Sequence, residues 1–274
     1  MSDKLKTKTE NLYALLRSAG RIAIAFSGGV DSTYLLWAAH DALGGNVMAV
    51  TVSSAVTPSS ELEKAVSLCQ KIGVKQAVIS ADVFSIEHFS KNPPDRCYWC
   101  KRSLFGKIAD TARANGFEQV ADGTNADDDN DFRPSARAAK ELGVISPLHD
   151  CGLTKQDIRI LSEAAGLPTF NKPSMACLAS RFPTGDKITP EGLKMVESAE
   201  EVLKDHGLSQ YRVRKIGGLA KIEVLPGEFS LVTQNMDKIS SEFMTFGFDD
   251  VILDPKGYRT GSMNAPLNLG CLYE

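Results

Sequence analysis

The chain has no stretch approaching the ~18 consecutive apolar residues that would span a bilayer, so no membrane partner is expected. Its opening, Met1-Ser2-Asp3-Lys4-Leu5-Lys6, carries no apolar leader and no cleavage site, which points to a cytoplasmic protein. There is no basic surplus either. Lys and Arg number 31 against 34 Asp and Glu, a formal net charge of -3, which argues against a large nucleic-acid footprint. No internal repeat or low-complexity tract is found. Six cysteines among 274 residues do not make a disulfide scaffold; in a reducing compartment they are core residues, metal ligands or reactive thiols. What remains is an ordinary globular composition, long enough for one large or two medium domains that need no staples.

The most informative segment is Ala23-Ile24-Ala25-Phe26-Ser27-Gly28-Gly29-Val30-Asp31-Ser32, where an apolar run stops in a Ser-Gly-Gly turn and restarts as a helix. Glycines let the backbone approach an anion closely, and the free amides at the start of the helix supply donors without side-chain charge. No lysine follows the turn, so a GxxxxGK[ST] loop is excluded. An ordinary strand-to-helix turn capped by Asp31 and Ser32 is the competing reading. The six-residue string Ser27 to Ser32 resembles the SGGxDS signature of the PP-loop ATP pyrophosphatases. That resemblance implies ATP cleaved to AMP and pyrophosphate, with an oxygen of the substrate activated as an adenylate.

Periodicity supplies the frame. Leu5 to Ser18 has apolar residues at helical spacing. Short apolar strands are expected at Arg21–Phe26, Val47–Val52, Lys75–Ser80 and Gln119–Ala121, with helices at Ser32–Leu43, Ser59–Ile72, about Lys101–Asn115 and Lys155–Ala165. This alternation predicts an α/β fold, a parallel sheet with helices on both faces. Ligands of such sheets lie beyond the carboxyl ends of the strands. The Ser27 turn, Thr51 to Ser54, and Asp122-Gly123-Thr124-Asn125 should therefore converge on one nucleotide pocket. Around Lys172 to Gly185 the pattern turns irregular. Beyond it, helices at Pro190–His206 and Phe229–Phe246 and strands at Tyr211–Lys215, Ala220–Leu225 and Asp250–Leu253 predict a smaller α+β domain. The expected division is residues 1–172 and 173–274.

Two thiols in Cys97-Tyr98-Trp99-Cys100 have a metal-sharing or disulfide spacing, but no second CxxC completes a four-cysteine zinc site. Cys177, in a proline-flanked segment, is the best third thiol. Three thiolates can hold a [4Fe-4S] cluster and leave one iron open to bind a sulfide. A structural zinc site or two small core hydrophobes are the alternatives for the pair. Cys69, Cys151 and Cys271 have no such partners and read as structural. Tyr211-Arg212-Val213-Arg214 alternates like a strand, so Arg212 and Arg214 should share a face, where two guanidinium forks suit a phosphate. A pair bridged to Glu223 on the next strand is the other reading. The run Asp127-Asp128-Asp129-Asn130-Asp131 reads as a solvated polar loop before it reads as a Mg²⁺ or Ca²⁺ site.

Taken with the glycine turn, Arg96-Cys97-Tyr98-Trp99-Cys100-Lys101, Asp122-Gly123-Thr124-Asn125, Asp131-Phe132-Arg133-Pro134, Cys177-Leu178-Ala179-Ser180-Arg181-Phe182-Pro183, Arg212-Val213-Arg214 and Gly257-Tyr258-Arg259-Thr260-Gly261 make the chain similar to the LarE family over nearly its whole length. These ATP-dependent sulfur transferases help make the nickel-pincer nucleotide cofactor of lactate racemase. The resemblance implies a small-molecule substrate, pyridinium-3,5-biscarboxylic acid mononucleotide, whose two carboxylates are adenylated and then attacked by sulfur with loss of AMP. It also implies a homo-oligomer and, as partners, other proteins of nickel-pincer biosynthesis. Sulfur comes either from a single sacrificed cysteine in the Cys177 region or from a cluster held by three cysteines. The presence of Cys97 and Cys100 favours the cluster.

Residue by residue, Ser27, Gly28, Gly29 and Ser32 are expected to bind the pyrophosphate of ATP, Asp31 to hold Mg²⁺, and Asp122 and Gly123 to line the nucleotide site. Lys101 and Arg181 are candidates to neutralise the substrate carboxylate or the charge developing on phosphorus, with a solvated surface cation as the plain alternative. Arg212, Arg214 and Arg259 are expected at the substrate phosphate. Glu200 resembles a family site position, although its spacing alone makes it a helix-surface acid. Rival readings are a tRNA thiolation enzyme, whose broad basic face is missing here, and an amidotransferring synthetase of the NAD or GMP type, which leaves the thiols idle. A nucleotide-binding or iron-sulfur carrier without turnover is the third.

Overall fold

A computed structural model of the chain describes residues 2–130, 134–173 and 176–259. The chain forms two compact units, Met1–Glu87 with Asp95–Met175, and His88–Pro94 with Ala176–Glu274. No described helix is long and apolar enough to cross a membrane.

The first unit opens with α1 (Asp3–Ala19), whose Leu5, Leu12 and Leu16 recur at helical spacing and are buried. Then β1 (Ile22–Ala25), α2 (Val30–Leu43), β2 (Val47–Ser53), α3 (Ser59–Ile72) and β3 (Lys75–Ser80) alternate. After α4 (Arg96–Ala114) and β4 (Gln119–Ala121) come α5 (Pro134–Glu141), α6 (Pro147–Asp150) and α7 (Lys155–Ala164). The strand order is β3-β2-β1-β4, and each neighbouring pair is parallel. Successive side chains point to opposite faces. Ile22, Ile24, Val47 and Ala49 accordingly join one core with Leu12, Leu35 and Leu68, while Ala23, Met48 and Val50 join another with Phe105, Ile108 and Ala112 of α4. Burial on both faces is what makes these strands read as continuous apolar runs, and the expected doubly covered parallel sheet is present.

In the second unit α8 (Pro190–Asp205) starts on Thr189, whose hydroxyl accepts from the Gly192 amide, with Pro190 at the first helical position. β5 (Tyr211–Ile216) and β6 (Leu219–Val224) pair antiparallel; α9 (Phe229–Gln234) and α10 (Met236–Thr245) then lead to β7 (Asp250–Leu253), parallel to β6. Val196, Leu203, Val213, Ile222, Ile239 and Phe243 form its buried interior. His88–Pro94 is tied in by its backbone: Ile188 donates to Ser90 at 2.9 Å and Gly185 to Asn92 at 2.8 Å.

Three elements differ from expectation. The helix predicted from Lys101 begins at Arg96, because Asp95 accepts from the Tyr98 amide at 2.9 Å and from the Trp99 ring N–H at 2.8 Å, stabilising an extra turn that contains both cysteines. The helix predicted over Phe229–Phe246 is two, since the Asn235 side chain bonds Leu231 O at 2.8 Å and competes with the helical ladder. The irregular stretch Lys172–Gly185 contains a 3-10 turn at Leu178–Arg181.

The end of β4 runs very close to α2. A Cβ on Gly123 would lie 2.9 Å from Ser32 N, against backbone that cannot move aside. Gly123→Ala is therefore expected to cost ~1–3 kcal/mol in urea unfolding. Gly45→Ala, with nothing within 4 Å of its added methyl, should stay within about 0.5 kcal/mol of wild type.

Candidate functional site

The ladder of β1 continues one residue past the strand, with Phe26 N donating to Val50 O at 2.9 Å, and then the chain turns at Ser27. Gly28 has φ +70°, and a Cβ there would lie 3.2 Å from the Cα of Ala65 in α3. Left-handed backbone and close helix approach both demand glycine at this point. Gly29 is the N-cap of α2, and no side chain caps the helix. Its first amides therefore remain donors for an anion. The Ser27 and Ser32 hydroxyls lie 3.1 Å apart and brace the turn.

The other two strand ends arrive at the same edge. Thr51 Oγ1 at the end of β2 donates to Phe26 O at 2.9 Å, and Gly123 lies against the start of α2. Asp122 is buried, and its carboxylate accepts from Thr124 N, Thr124 Oγ1 and Ser146 Oγ at 3.1, 2.9 and 2.8 Å. Its oxygens are spent on shaping the β4 end. Ser27, Gly28, Gly29, Asp31, Ser32, Asp122 and Gly123 are thus gathered at one end of the sheet.

The charged residues around the turn come from farther along the chain and were not among the sequence candidates. Asp31 Oδ2 pairs with Lys155 Nζ, while Asp31 Oδ1 is buried without a hydrogen-bond partner. Lys172 Nζ donates to Gly28 O at 2.8 Å and to Glu61 Oε2 at 2.6 Å, and Lys64 holds the other Glu61 oxygen at 2.8 Å. Burial alone would raise the Glu61 carboxyl, but the bonds from Lys172 and Lys64 outweigh it and hold the group below the usual carboxylate range. Lys155 and Lys172 lie 124 and 144 residues from their partners Asp31 and Gly28, beyond the reach of any spacing rule. The one local signal is Thr154-Lys155-Gln156-Asp157, a capping box that marks where α7 begins.

The acidic run is built into the fold in its described part. Asp127 Oδ2 accepts from the Lys155 amide at 2.8 Å and Asp128 Oδ2 from the Asn125 amide at 3.0 Å, so these two carboxylates serve turns. Asp131, with Phe132 and Arg133 of the quoted motif, lies outside the described residues, as do Ser174, Met175, Thr260, Gly261 and Cys271.

Cys97 and Cys100 occupy the first turns of α4, one exposed and one half-buried, at a spacing that sets Cβ atoms about 5–6 Å apart on one helix face. Arg96 Nη2 lies 3.7 Å from Cys97 Sγ. Lys101 is exposed, its ammonium 4.7 Å from the centre of the Phe105 ring. Cys69 is buried, and burial pushes its thiol up to about 12; burial and then Asp150 raise Cys151. No group of three or more His, Cys, Asp or Glu side chains suited to a metal occurs among the described residues.

In the second unit Cys177 is exposed at the start of the 3-10 turn. Arg181 at its end is not the solvated surface cation of the plain alternative: it is 0% exposed. Its Nε and Nη2 each donate to Glu200 at 2.8 Å, and Nη1 donates to Ala176 O at 2.8 Å, Cys177 O at 3.2 Å and Ser180 Oγ at 3.0 Å. Glu200, which spacing alone places on a helix surface and resemblance at a site position, is buried and accepts also from Val213 N at 3.0 Å. Arg181 has no exposed surface and holds the Cys177 carbonyl.

Arg212 and Arg214 are buried together on β5. Arg214 is bridged to Glu223, with two bonds of 3.0 and 2.8 Å, and also donates to Ser180 O at 2.9 Å. Arg212 donates to Tyr211 O at 2.6 Å, and its guanidinium stands 5.2 Å from the Tyr258 ring centre. Burial, and next the charge of Arg181, pull Arg212 below its ordinary value. Arg259 lies 3.5 Å from Asp254, which also takes Lys221 at 2.8 Å. Among the described residues, five cations, Arg181, Arg212, Arg214, Lys221 and Arg259, thus face three carboxylates, Glu200, Glu223 and Asp254.

Comparison with known proteins agrees with this geometry. Residues 1–92 match the family model described as a PP-loop domain. An uncharacterized protein of Synechocystis is 39% identical over 96% of this chain and 99% of its own length. The pyridinium-3,5-bisthiocarboxylic acid mononucleotide synthase of Lactiplantibacillus plantarum is 35% identical over 96% of both chains. A glutamine-hydrolyzing GMP synthase of Aeropyrum pernix is 26% identical over 66% of this chain but 38% of its own, a likeness confined to part of that enzyme. With its glycine turn at the end of a parallel strand and end-to-end similarity to a bisthiocarboxylate synthase, the chain belongs to the LarE family of PP-loop proteins.

Proposed function

We propose that this protein is an ATP-dependent sulfur transferase that adenylates the carboxylates of pyridinium-3,5-biscarboxylic acid mononucleotide and converts them to thiocarboxylates. The observation that carries the reading is the uncapped start of α2 behind Ser27-Gly28-Gly29, with a carboxylate oxygen of Asp31 buried and unpartnered in its first turn. An anion needs such amides, and a Mg²⁺ ion riding on its phosphates needs such an oxygen. When bound, Mg²⁺ supplies charge neutralisation between the phosphates. A substrate carboxylate oxygen attacks the α-phosphorus, the bond to the bridging oxygen breaks, and pyrophosphate leaves into the amides of Gly28, Gly29 and the first turn of α2, with the Ser27 and Ser32 hydroxyls beside it. Catalysis here is positioning and charge stabilisation.

Residues 1–172 are read as the ATP domain and 173–274 as the substrate and sulfur domain. The cation excess around Arg212, Arg214 and Arg259 suits the dianionic phosphate of a mononucleotide. Lys101, exposed on α4, is a candidate for direct contact with the substrate carboxylate. Arg181 and Glu200 act through the Cys177 segment, as positioning residues. Sulfur attacks the acyl carbon of the adenylate and AMP leaves.

For the sulfur source, Cys97, Cys100 and Cys177 are thiols of the type and number that a [4Fe-4S] cluster with one open iron requires, and the first two already share a helix face. Such a cluster supplies a site for exogenous sulfide. A second reading, Cys177 giving up its own sulfur and becoming dehydroalanine, is favoured by the exposure of that thiol on a turn whose carbonyls are held by a fully buried arginine. Association into homo-oligomers and cooperation with other nickel-pincer biosynthesis proteins follow from the same reading.

Asp31→Ala is expected to lower AMP and pyrophosphate formation by roughly two orders of magnitude, the scale of a lost transition-state charge contact; activity retained by that variant removes the loop from the mechanism. Anaerobically purified protein should carry about 4 Fe and matching acid-labile sulfide, and Cys97→Ser should bleach it. Colourless wild-type protein whose Cys177 loses the mass of H₂S during turnover decides for sacrifice. Either way Cys177→Ser should retain pyrophosphate release and lose thiocarboxylate. Arg212→Ala and Arg214→Ala should weaken the mononucleotide roughly tenfold or more while sparing ATP; equal weakening of both ligands removes the phosphate assignment.

A further inference from the structure

The glycine turn carries no lysine of its own, so a bound triphosphate would meet backbone amides and hydroxyls but no cation from that loop. Two ammonium groups nevertheless reach it. They differ in how firmly they are held. Lys172 is 16% exposed and has two bonds, to the Gly28 carbonyl and to Glu61, which fix the turn from beneath. Lys155 is 33% exposed, and its pairing with Asp31 engages the carboxylate whose other oxygen is buried and unsatisfied.

The delivery of Lys155 is rigid. It is the first residue of α7, and its amide donates to Asp127 Oδ2 at 2.8 Å. Thr154 N donates to Asp157 Oδ2 at 3.1 Å and Asp157 N to Thr154 Oγ1 at 3.2 Å, closing the capping box, while Lys8 from α1 pairs with Asp157 at 2.6 Å. The backbone is anchored on three sides, so only the flexible four-carbon stem has freedom to move. The Asp31 carboxylate can serve either an ammonium or a divalent ion well, but both at once would be held side by side in partial burial, where like charges repel strongly.

Resting on the ATP reading above, we propose that Lys155 is the pyrophosphate-binding lysine of this site, held on Asp31 in the nucleotide-free protein and transferred to the β- and γ-phosphate oxygens when Mg²⁺-ATP takes over that carboxylate. The cation that other phosphate loops carry within the loop is then supplied from α7. Lys155 neutralises the leaving pyrophosphate and leaves the adenylate alone.

Titration calorimetry on the full chain tests this with ATP, inorganic pyrophosphate and AMP. Lys155→Ala should weaken ATP and pyrophosphate roughly tenfold to a hundredfold, the range of a lost charge-assisted contact, and leave AMP unchanged, while Lys155→Arg recovers most of the loss. In nucleotide-free protein Mn²⁺ binding followed by electron paramagnetic resonance should tighten in Lys155→Ala, because its competitor for Asp31 is gone, an increase that mere structural damage would not produce. Unchanged ATP affinity, equal losses for ATP and AMP, or weaker Mn²⁺ binding overturns the proposal. Wild-type protein that binds no ATP at all overturns the ATP reading with it, which keeps the two failures apart.

Discussion

The structure of the first unit depends on one constraint: backbone at the end of β1 must stay bare enough for an anion to reach it. A side chain at Gly28 would crowd Ala65 at 3.2 Å, and Gly123 has no room for one against Ser32, so two glycines from distant segments bring three elements to within contact of the α2 start. A bare backbone has amides but no charge. Among the described residues the charges at this site come from the elements around the loop: Asp31 from the first turn of α2, Glu61 and Lys64 from α3, Asp122 from the end of β4, Lys155 from the start of α7 and Lys172 from beyond it. Parallel topology makes this possible, because every helix that follows a strand begins at the same edge of the sheet.

The second unit solves a different problem, how to keep arginines inside a protein. Burying a guanidinium without a partner costs several kcal/mol, and a buried pair is worth keeping only when its remaining donors are satisfied. Arg181 meets that condition with both Glu200 oxygens and two main-chain carbonyls, and Arg214 with Glu223 and the Ser180 carbonyl. The carbonyls belong to the segment that carries Cys177. Charge satisfaction and thiol placement are thus the same set of bonds. Arg212 is drawn below its ordinary value by burial and by the neighbouring Arg181.

How much of this was legible beforehand follows the range of the signal. The alternation of strands and helices and the glycine turn are local, and both stand where periodicity put them. The α4 start was hidden because its N-terminal stabilisation comes from a side chain, Asp95 on Trp99, in a segment rich in residues with no clear period. Asn235 breaks a helix by a bond to its own preceding turn, which composition only hints at. Lys155, Lys172 and Glu61 were illegible for a stronger reason: they are single polar residues whose meaning exists only after the sheet has brought positions more than 100 residues apart together. Arg181 and Glu200 were visible as residues but not as buried ones, since a charge in sequence reads as surface until its partner is known.

Thiol chemistry is sorted by the same logic of burial. A thiol must lose its proton to attack carbon or bind iron, and a low-dielectric interior opposes that loss. Cys69, surrounded by the core of α3, is pushed up to about 12, and Cys151 is raised by burial and by the adjacent Asp150 carboxylate. Burial thus opposes thiolate formation at both, and Cys69 is a small core residue in effect. Cys97 and Cys177 are exposed, while Cys100, like Cys151, is half-buried; the CxxC turn and the Cys177 turn each lie beside an arginine, Arg96 at Cys97 Sγ and Arg181 at the Cys177 carbonyl. Among the described cysteines, depth in the protein sets the buried Cys69 apart from the exposed Cys97 and Cys177.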